Sequence, residues 1–153
     1  MVLELRNQGY SVELLDEFDP RLENYQADAL VSIHANTCAT FSERVSGYLV
    51  AAAAARVTAR LDDTLLVDCI AEYYQQETGL ERHAGITEDM TNYHTFREIH
   101  PLTPAAIVEL GFMLSDRDLL TNRPEVAARG VANGVLCYLQ PGKAPALTEG
   151  DGT

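Results

Sequence analysis

Two apolar segments, residues 27–36 and 105–112, each carry a polar group near their carboxyl ends, and they constrain the fold most strongly. The first reads ADALVSIHAN and the second AAIVELGF. Apolar residues in continuous runs are typical of strands that are covered on both sides of a sheet. The first run presents His34 and the second presents Glu109. Because functional groups gather beyond the carboxyl ends of parallel strands, these two side chains indicate one site.

The rest of the chain alternates predicted strands with predicted helices. We expect the end of a helix at 1–8, a helix that Gly79 terminates, a short helix at 116–120 and a final helix that starts near Pro124. Further strands are predicted at 10–15, 45–50, 90–96 and 106–110. This order predicts an α/β protein, specifically a three-layer α/β sandwich with a mostly parallel sheet flanked by helices. Residues 1–140 would form a single catalytic domain, and residues 141–153 a flexible tail.

Composition limits the class of partner. The chain has 153 residues, enough for one domain with a real core. Its net charge of -12 disfavours nucleic acid, because an acidic surface repels phosphates. The apolar stretch at 49–55 is too short for a membrane span, and the amino terminus shows no signal peptide. Three cysteines match no zinc or CxxC spacing, so we expect all three as free, small apolar residues: Cys38, Cys69 and Cys137.

His34 and Glu109 are the side chains with the most evident chemistry. A neutral imidazole at a strand end is a good zinc ligand, although a buried histidine satisfied by backbone is the alternative. A carboxylate within an apolar run is costly unless it is paired, metal-linked or protonated. Burial would raise its pKa and suit it as a general base, whereas a structural role would pair it with Arg97 or Arg117. Asn36 is a candidate substrate-binding residue, or a turn former with no other role.

The remaining histidines lie in the irregular segment 80–100: His83, His94 and His100. Each is predicted to be a surface or loop histidine, with a contribution to a site or substrate groove as the alternative. The sequence contains no glycine-rich phosphate loop, nucleophile elbow or HExxH motif. Metal-assisted hydrolysis around His34 and Glu109 therefore stands as the leading hypothesis.

Four segments resemble a known family, the zinc-dependent N-acetylmuramoyl-L-alanine amidases of amidase type 3. Residues 27–36 resemble the family's AD-x-x-x-SIHAN segment. Residues 104–112 (PAAIVELGF) resemble its PA-x-L-x-E-x-GF segment, with Ile107 in place of leucine. Residues 9–12 (GYSV) and 78–80 (TGL) resemble its GY-x-V and TGL motifs. The order and spacing agree along the chain except in the tail.

The resemblance implies a substrate, a reaction and a location. The enzyme would act on peptidoglycan or muropeptides, cleaving the amide between N-acetylmuramic acid and the L-alanine of the stem peptide. By position, His34 would be a zinc ligand and Glu109 the catalytic glutamate. The family also implies a location in the bacterial cell envelope, in the periplasm or the cell wall.

One departure from the family affects the metal site. The family's first strand ends in a GHGG-type motif with another zinc histidine, and a glutamate ligand follows in the first helix. We expect this chain to begin inside that helix and to lack both ligands. Because a catalytic zinc usually needs three protein ligands, we expect weak or no activity from this form. A missing strand would also leave a sheet edge unpaired and favour homo-oligomers.

The sequence is also compatible with two other functions. The first is a non-catalytic peptidoglycan-binding or regulatory module on the same fold. The second is a different zinc hydrolase, such as a carboxypeptidase acting on stem peptides, in which His83, His94 or His100 completes the site.

Overall fold

The computed structural model describes residues 1–42 and 45–142 of the chain. In chain order, its elements are α1 (Val2–Asn7), a 3-10 turn (Pro20–Leu22), β1 (Leu30–Asn36), β2 (Leu49–Ala51), α2 (Arg60–Thr78), α3 (Glu88–Thr91), α4 (Thr95–Glu98), β3 (Ala105–Phe112), α5 (Arg117–Asn122) and α6 (Pro124–Leu139). Of the predicted tail, residues 143–153 lie outside the described part of the chain.

The three strands form one sheet in the order β1-β3-β2. β1 runs parallel to β3, whereas β2 runs antiparallel to it. The predicted α/β class is therefore confirmed. The sheet in the described residues is small and mixed, and it differs in this respect from the mostly parallel sheet that the sequence predicted. Within these residues β1 pairs with β3 and with no other strand.

Apolar side chains of the sheet pack on both of its faces. Alternate residues of β3 point to opposite faces, as the strand period requires. Ala106 and Val108 belong to the larger core, which contains the long helices α2 and α6. Ala105 and Ile107 belong to a smaller core, which contains residues of α3 and α4. This double coverage explains why residues 105–112 read as an apolar run without alternation.

The helices α2 and α6 pack closely and are joined by a disulfide between Cys69 and Cys137. The prediction that all three cysteines are free is wrong for these two. The signal was missed because the pair is separated by 68 residues and meets only when the two helices pack. Cys38 is free and exposed. Gly134 permits the close approach, since a Cβ there would lie 2.5 Å from the Cα of Ile70.

Local signals located the helices well. α2 carries Asp62 and Asp63 in its first turn, and Gly79 ends it with a φ of 70°. The positive φ favours glycine, because an L side chain is strained there. The predicted helices at 1–8, 116–120 and after Pro124 are confirmed as α1, α5 and α6, with shifts of a few residues at their ends.

Three strand predictions fail in whole or in part. Residues 10–15 form no strand, because they have no neighbouring strand to pair with in the described structure. Residues 90–96 contribute instead to α3 and α4. The strand predicted at 45–50 is confined to Leu49–Ala51. No helix in the described ranges combines the length and apolarity that a bilayer crossing requires.

Candidate functional site

His34 and Glu109 are neighbours on adjacent parallel strands. They are register partners of β1 and β3. Register partners in a parallel pair direct their side chains to the same face of the sheet, so the imidazole and the carboxylate lie side by side. Both residues are partly buried. The structure thus brings together the two side chains on which the functional hypothesis depends.

The carboxyl group of Glu109 is poorly solvated. Its Oε2 atom is buried and has no hydrogen-bond partner. Burial raises the pKa of Glu109, and the neighbouring His34 offsets that rise only in part. None of the ion pairs among the described residues includes Glu109, and Arg97 donates instead to the carbonyl of Asn92. The structural alternative, a glutamate paired with an arginine, therefore finds no support.

The ring of Tyr93 packs against the imidazole of His34. The two rings meet edge to face, with centroids 5.0 Å apart. The Tyr93 hydroxyl donates to Oε1 of Glu17 at 3.2 Å. Burial, reinforced by the Glu17 charge, raises the pKa of Tyr93 to about 12, so the phenol stays protonated. Sequence reasoning missed this residue because it placed 90–96 in a strand, and no motif marks Tyr93.

Asp116 holds the carboxyl end of β3 against the segment that precedes β2. Its Oδ2 accepts from the backbone N–H of Phe112 at 2.9 Å and from that of Gly47 at 3.1 Å. The hydroxyl of Ser46 donates to its other oxygen. A Cβ at Gly111 would lie 2.9 Å from the Cβ of Asp116. A residue with a side chain at position 111 would therefore collide with Asp116. Gly111 allows Asp116 to approach β3 closely, and this contact orients the strand that carries Glu109.

Asn36 lies where the pairing of β1 with β3 shifts register. Its side-chain oxygen accepts from the backbone N–H of Thr37 at 2.6 Å, and its backbone carbonyl accepts from Met113. Local backbone thus occupies the side-chain oxygen, as expected for a turn-forming asparagine. The substrate-binding role of Asn36 stays a prediction.

The other three histidines have different surroundings. The ring of His94 packs with its centroid 4.4 Å from that of Tyr93, the residue that contacts His34, and its Nδ1 lies 3.0 Å from Glu98. His83 meets the ring of Phe112. His100 lies in the turn before β3, at the end of that strand opposite to Glu109, where its ring accepts from Leu102.

The described residues alone do not form a complete zinc site. They contain no group of three or more His, Cys, Asp or Glu side chains arranged to hold a metal ion. One imidazole and one carboxylate fall short of the three protein ligands that a catalytic zinc usually has. The carboxypeptidase alternative, in which His83, His94 or His100 completes the site, also lacks support within these residues.

Fold and site together define an α/β domain with a histidine–glutamate pair on neighbouring strands. The chain shares this fold with solved N-acetylmuramoyl-L-alanine amidases. The structure of such an amidase from Clostridium difficile 630 superposes with a TM-score of 0.57 at 21% identity, covering 76% of this chain and 60% of that one.

Two other solved structures agree. The catalytic domain of CwlV, an N-acetylmuramoyl-L-alanine amidase from Bacillus (Paenibacillus) polymyxa var. colistinus, gives a TM-score of 0.51 at 23% identity over 74% of this chain and 58% of its own. The amidase AmiC2 of Nostoc punctiforme gives 0.51 at 24% identity over 74% and 59%. This chain therefore spans about three-fifths of their length. No protein-family model and no curated protein sequence matches it.

Proposed function

We propose that the protein is a peptidoglycan hydrolase that cleaves the amide between N-acetylmuramic acid and the L-alanine of the stem peptide. The observation that carries the proposal is the side-by-side placement of His34 and Glu109, with one buried oxygen of Glu109 unpartnered. The fold shared with solved N-acetylmuramoyl-L-alanine amidases supports the choice of reaction.

Glu109 is the proton-transfer group in this proposal. A water oxygen attacks the lactyl carbonyl carbon while a carboxylate oxygen of Glu109 takes the water's proton. The same carboxyl group then gives that proton to the alanine nitrogen as the C–N bond breaks, which leaves a carboxylic acid and a free amine. A glutamate whose pKa is raised by burial suits both steps, because it binds the proton more firmly than a solvated carboxylate does.

Zinc is the cofactor that we propose, with His34 as one of its ligands. When bound, zinc would polarise the scissile carbonyl and lower the pKa of a bound water. Because the described residues offer too few donors, the remaining ligands would come from polypeptide outside the described part of the chain. The complete three-layer sandwich and its mostly parallel sheet belong to the same proposal, as does the assignment of residues 1–140 to one catalytic domain.

A location in the cell envelope follows from the proposed substrate. The disulfide between Cys69 and Cys137 supports this location, because disulfides persist in oxidising compartments such as the periplasm.

The deciding experiment compares two glutamate variants of the protein expressed from its complete reading frame. Purified muropeptides are the substrate, and mass spectrometry follows release of the stem peptide with a free L-alanine amine. We expect Glu109→Gln to lower the rate by about 10²–10⁴-fold, the usual contribution of a general base. Glu125→Gln, on the exposed first turn of α6, is the matched control and should leave the rate unchanged.

Two outcomes would overturn the proposal. Retained cleavage in Glu109→Gln would remove this residue from the chemistry. Binding of muropeptides without cleavage by the unmodified protein would instead favour the non-catalytic peptidoglycan-binding or regulatory module. Zinc analysis after dialysis adds a separate measure: the 153-residue chain alone should retain well under one zinc per molecule, and His34→Ala should lower the zinc content of the complete protein.

A further inference from the structure

His94 joins two segments that are distant in sequence. It precedes α4, and its Nδ1 lies 3.0 Å from Oε1 of Glu98 in that helix. It also contacts the loop 16–19, where the ring of Phe18 stacks on the imidazole with a centroid distance of 4.8 Å. In the same loop, Oε1 of Glu17 lies 3.8 Å from the Nε2 atom of His94. A single imidazole therefore links this loop to α4.

The contacts of His94 determine where its proton lies when the ring is neutral. An ionised carboxylate only accepts hydrogen bonds, so Nδ1 carries the proton and donates to Glu98. Nε2 is then an acceptor, and it is buried with no hydrogen-bond partner. The hydroxyl of the neighbouring Tyr93 donates to Glu17 instead. The neutral ring therefore leaves a buried polar atom unsatisfied, which costs free energy.

A second proton on the imidazole would strengthen all three of these contacts. It would turn Nε2 into a donor, and Oε1 of Glu17 would need to move by only about 1 Å to reach hydrogen-bond distance. The hydrogen bond to Glu98 would become one between two charged groups, which is the stronger kind. The stacked ring of Phe18 would then face a cation, which attracts the face of an aromatic ring.

The other titratable groups around His94 leave this response to the imidazole. Tyr93 keeps its proton, because burial and the charge of Glu17 raise its pKa to about 12. The guanidinium of Arg97 donates to a backbone carbonyl. Glu17 and Glu98 are the carboxylates that face the ring, and carboxylates in general ionise below about pH 5.

We propose that Glu17, His94 and Glu98 form a pH-sensitive clasp, which holds the loop 16–19 against α4 when the imidazole is charged and loosens it when the imidazole is neutral. Histidine side chains change charge between about pH 5 and 8, so the clasp operates near neutral pH. Closure of the loop and binding of the proton favour each other, so the clasp is closed at low pH and opens as the pH rises. Its state affects the candidate site, because Glu17 and His34 line the same cavity.

The test does not depend on the proposed hydrolase activity, because it measures the accessibility of one side chain in the loop. The chain contains no tryptophan, and Phe18 is 76% exposed, so Phe18→Trp adds a single fluorophore at a tolerant surface position. Acrylamide quenching measures how freely solvent reaches this indole. Lifetimes recorded in parallel remove the direct quenching by the charged imidazole. We expect the bimolecular quenching constant to fall by about two- to threefold from about pH 8 to about pH 5.5.

Three further substitutions, each made together with Phe18→Trp, assign the effect to the clasp. His94→Gln should abolish the pH dependence, because glutamine takes up no proton in this range. Glu17→Gln should remove about half of it or more, because the acceptor that faces Nε2 loses its charge. Asp16→Asn removes a charge from the same exposed loop and is the matched control, which should leave the pH dependence unchanged. Circular dichroism at each pH checks that every variant stays folded.

Three results would overturn the proposal. The same quenching constant at both pH values in Phe18→Trp would show that the charge of the imidazole does not hold the loop. An undiminished pH dependence in the presence of His94→Gln would assign the effect to another titrating group. Equal effects of Glu17→Gln and Asp16→Asn would attribute it to the overall charge of the loop rather than to the contact with His94.

Discussion

The carboxylate of Asp63 accepts a hydrogen bond of 2.7 Å from the backbone N–H of Ala105, the first residue of β3. Arg56 lies 3.3 Å from the same oxygen and donates to the carbonyl of Thr103 at 2.6 Å. The first turn of α2 thus fixes the start of the strand that carries Glu109. Asp63 is 1% exposed, and burial raises its pKa despite the nearby guanidinium.

Removal of Asp63 should be strongly destabilising. In Asp63→Ala, the backbone N–H of Ala105 loses its acceptor and Arg56 keeps only its backbone carbonyl partners, so we expect a loss of about 3–5 kcal/mol in the free energy of unfolding. Its exposed neighbour provides the control, since Asp62→Ala removes a charge from the same helical turn at a cost of less than about 1 kcal/mol. Urea denaturation measures both. Equal losses in the two variants would contradict the anchoring role of Asp63.

The raised pKa of Glu109 predicts a pH-dependent stability. The folded chain binds the Glu109 proton more tightly than the unfolded chain does, so this group favours folding below its unfolded pKa. That contribution is lost as the pH rises through the raised folded pKa. Glu109→Gln cannot ionise, so it should be more stable than the unmodified chain at about pH 8, and this advantage should vanish at about pH 4, where the glutamate is protonated in both states.

Thermal melts across this pH range test the Glu109 prediction. Glu125→Gln, at an exposed site, should show no such trend. A Glu109→Gln variant that is less stable at every pH would mean that its carboxylate is better solvated than the structure indicates.

The disulfide between Cys69 and Cys137 should account for a large share of the stability. It closes a loop of 68 residues, and its loss through Cys69→Ala with Cys137→Ala should cost about 2–4 kcal/mol. Cys38→Ala, at the exposed free cysteine, is the matched control and should leave stability unchanged. Thiol titration of the denatured, unreduced protein should find one reactive group per chain; three would show that the bridge does not form.

Two glycines of α6 should respond differently to alanine. Helix propensity alone favours Gly→Ala by about 1 kcal/mol. At Gly134, however, the new Cβ would lie 2.5 Å from the backbone of Ile70, so overpacking should win and cost about 1–3 kcal/mol net. At Gly130 the nearest atoms of Tyr74 are 3.0 Å away, and the loss should be smaller. Denaturant unfolding of Gly134→Ala and Gly130→Ala measures both losses. A larger loss in Gly130→Ala than in Gly134→Ala would contradict the close contact between α2 and α6 at Gly134.

The elements that the sequence predicted well are those specified by their own residues. α2 has acidic residues in its first turn and Gly79 at its end, and β3 is a continuous apolar run. Residues 10–15 have a comparable strand pattern, but a strand also requires a partner, which a local pattern cannot report. The segment 90–96 failed for a related reason, because short helices there are set by packing against the smaller core.

The candidate site also contains some features that local sequence specifies and others that depend on contacts between distant residues. The proximity of His34 and Glu109 was predictable, because strand ends of a parallel pair meet at one edge of the sheet. The roles of Tyr93 and Asp116 were not predictable, since each acts through contacts with residues distant in sequence. The disulfide was missed for the same reason, because Cys69 and Cys137 meet only where the two helices that carry them pack together.

Tyr93, Glu17 and His34 all line one cavity of about 640 Å³. The Tyr93 hydroxyl donates to Glu17, and the same ring contacts the imidazole of His34. An exposed carboxylate in the loop before the 3-10 turn therefore constrains the ring that packs against the site histidine, so a substitution at Glu17 reaches the imidazole through a single phenol.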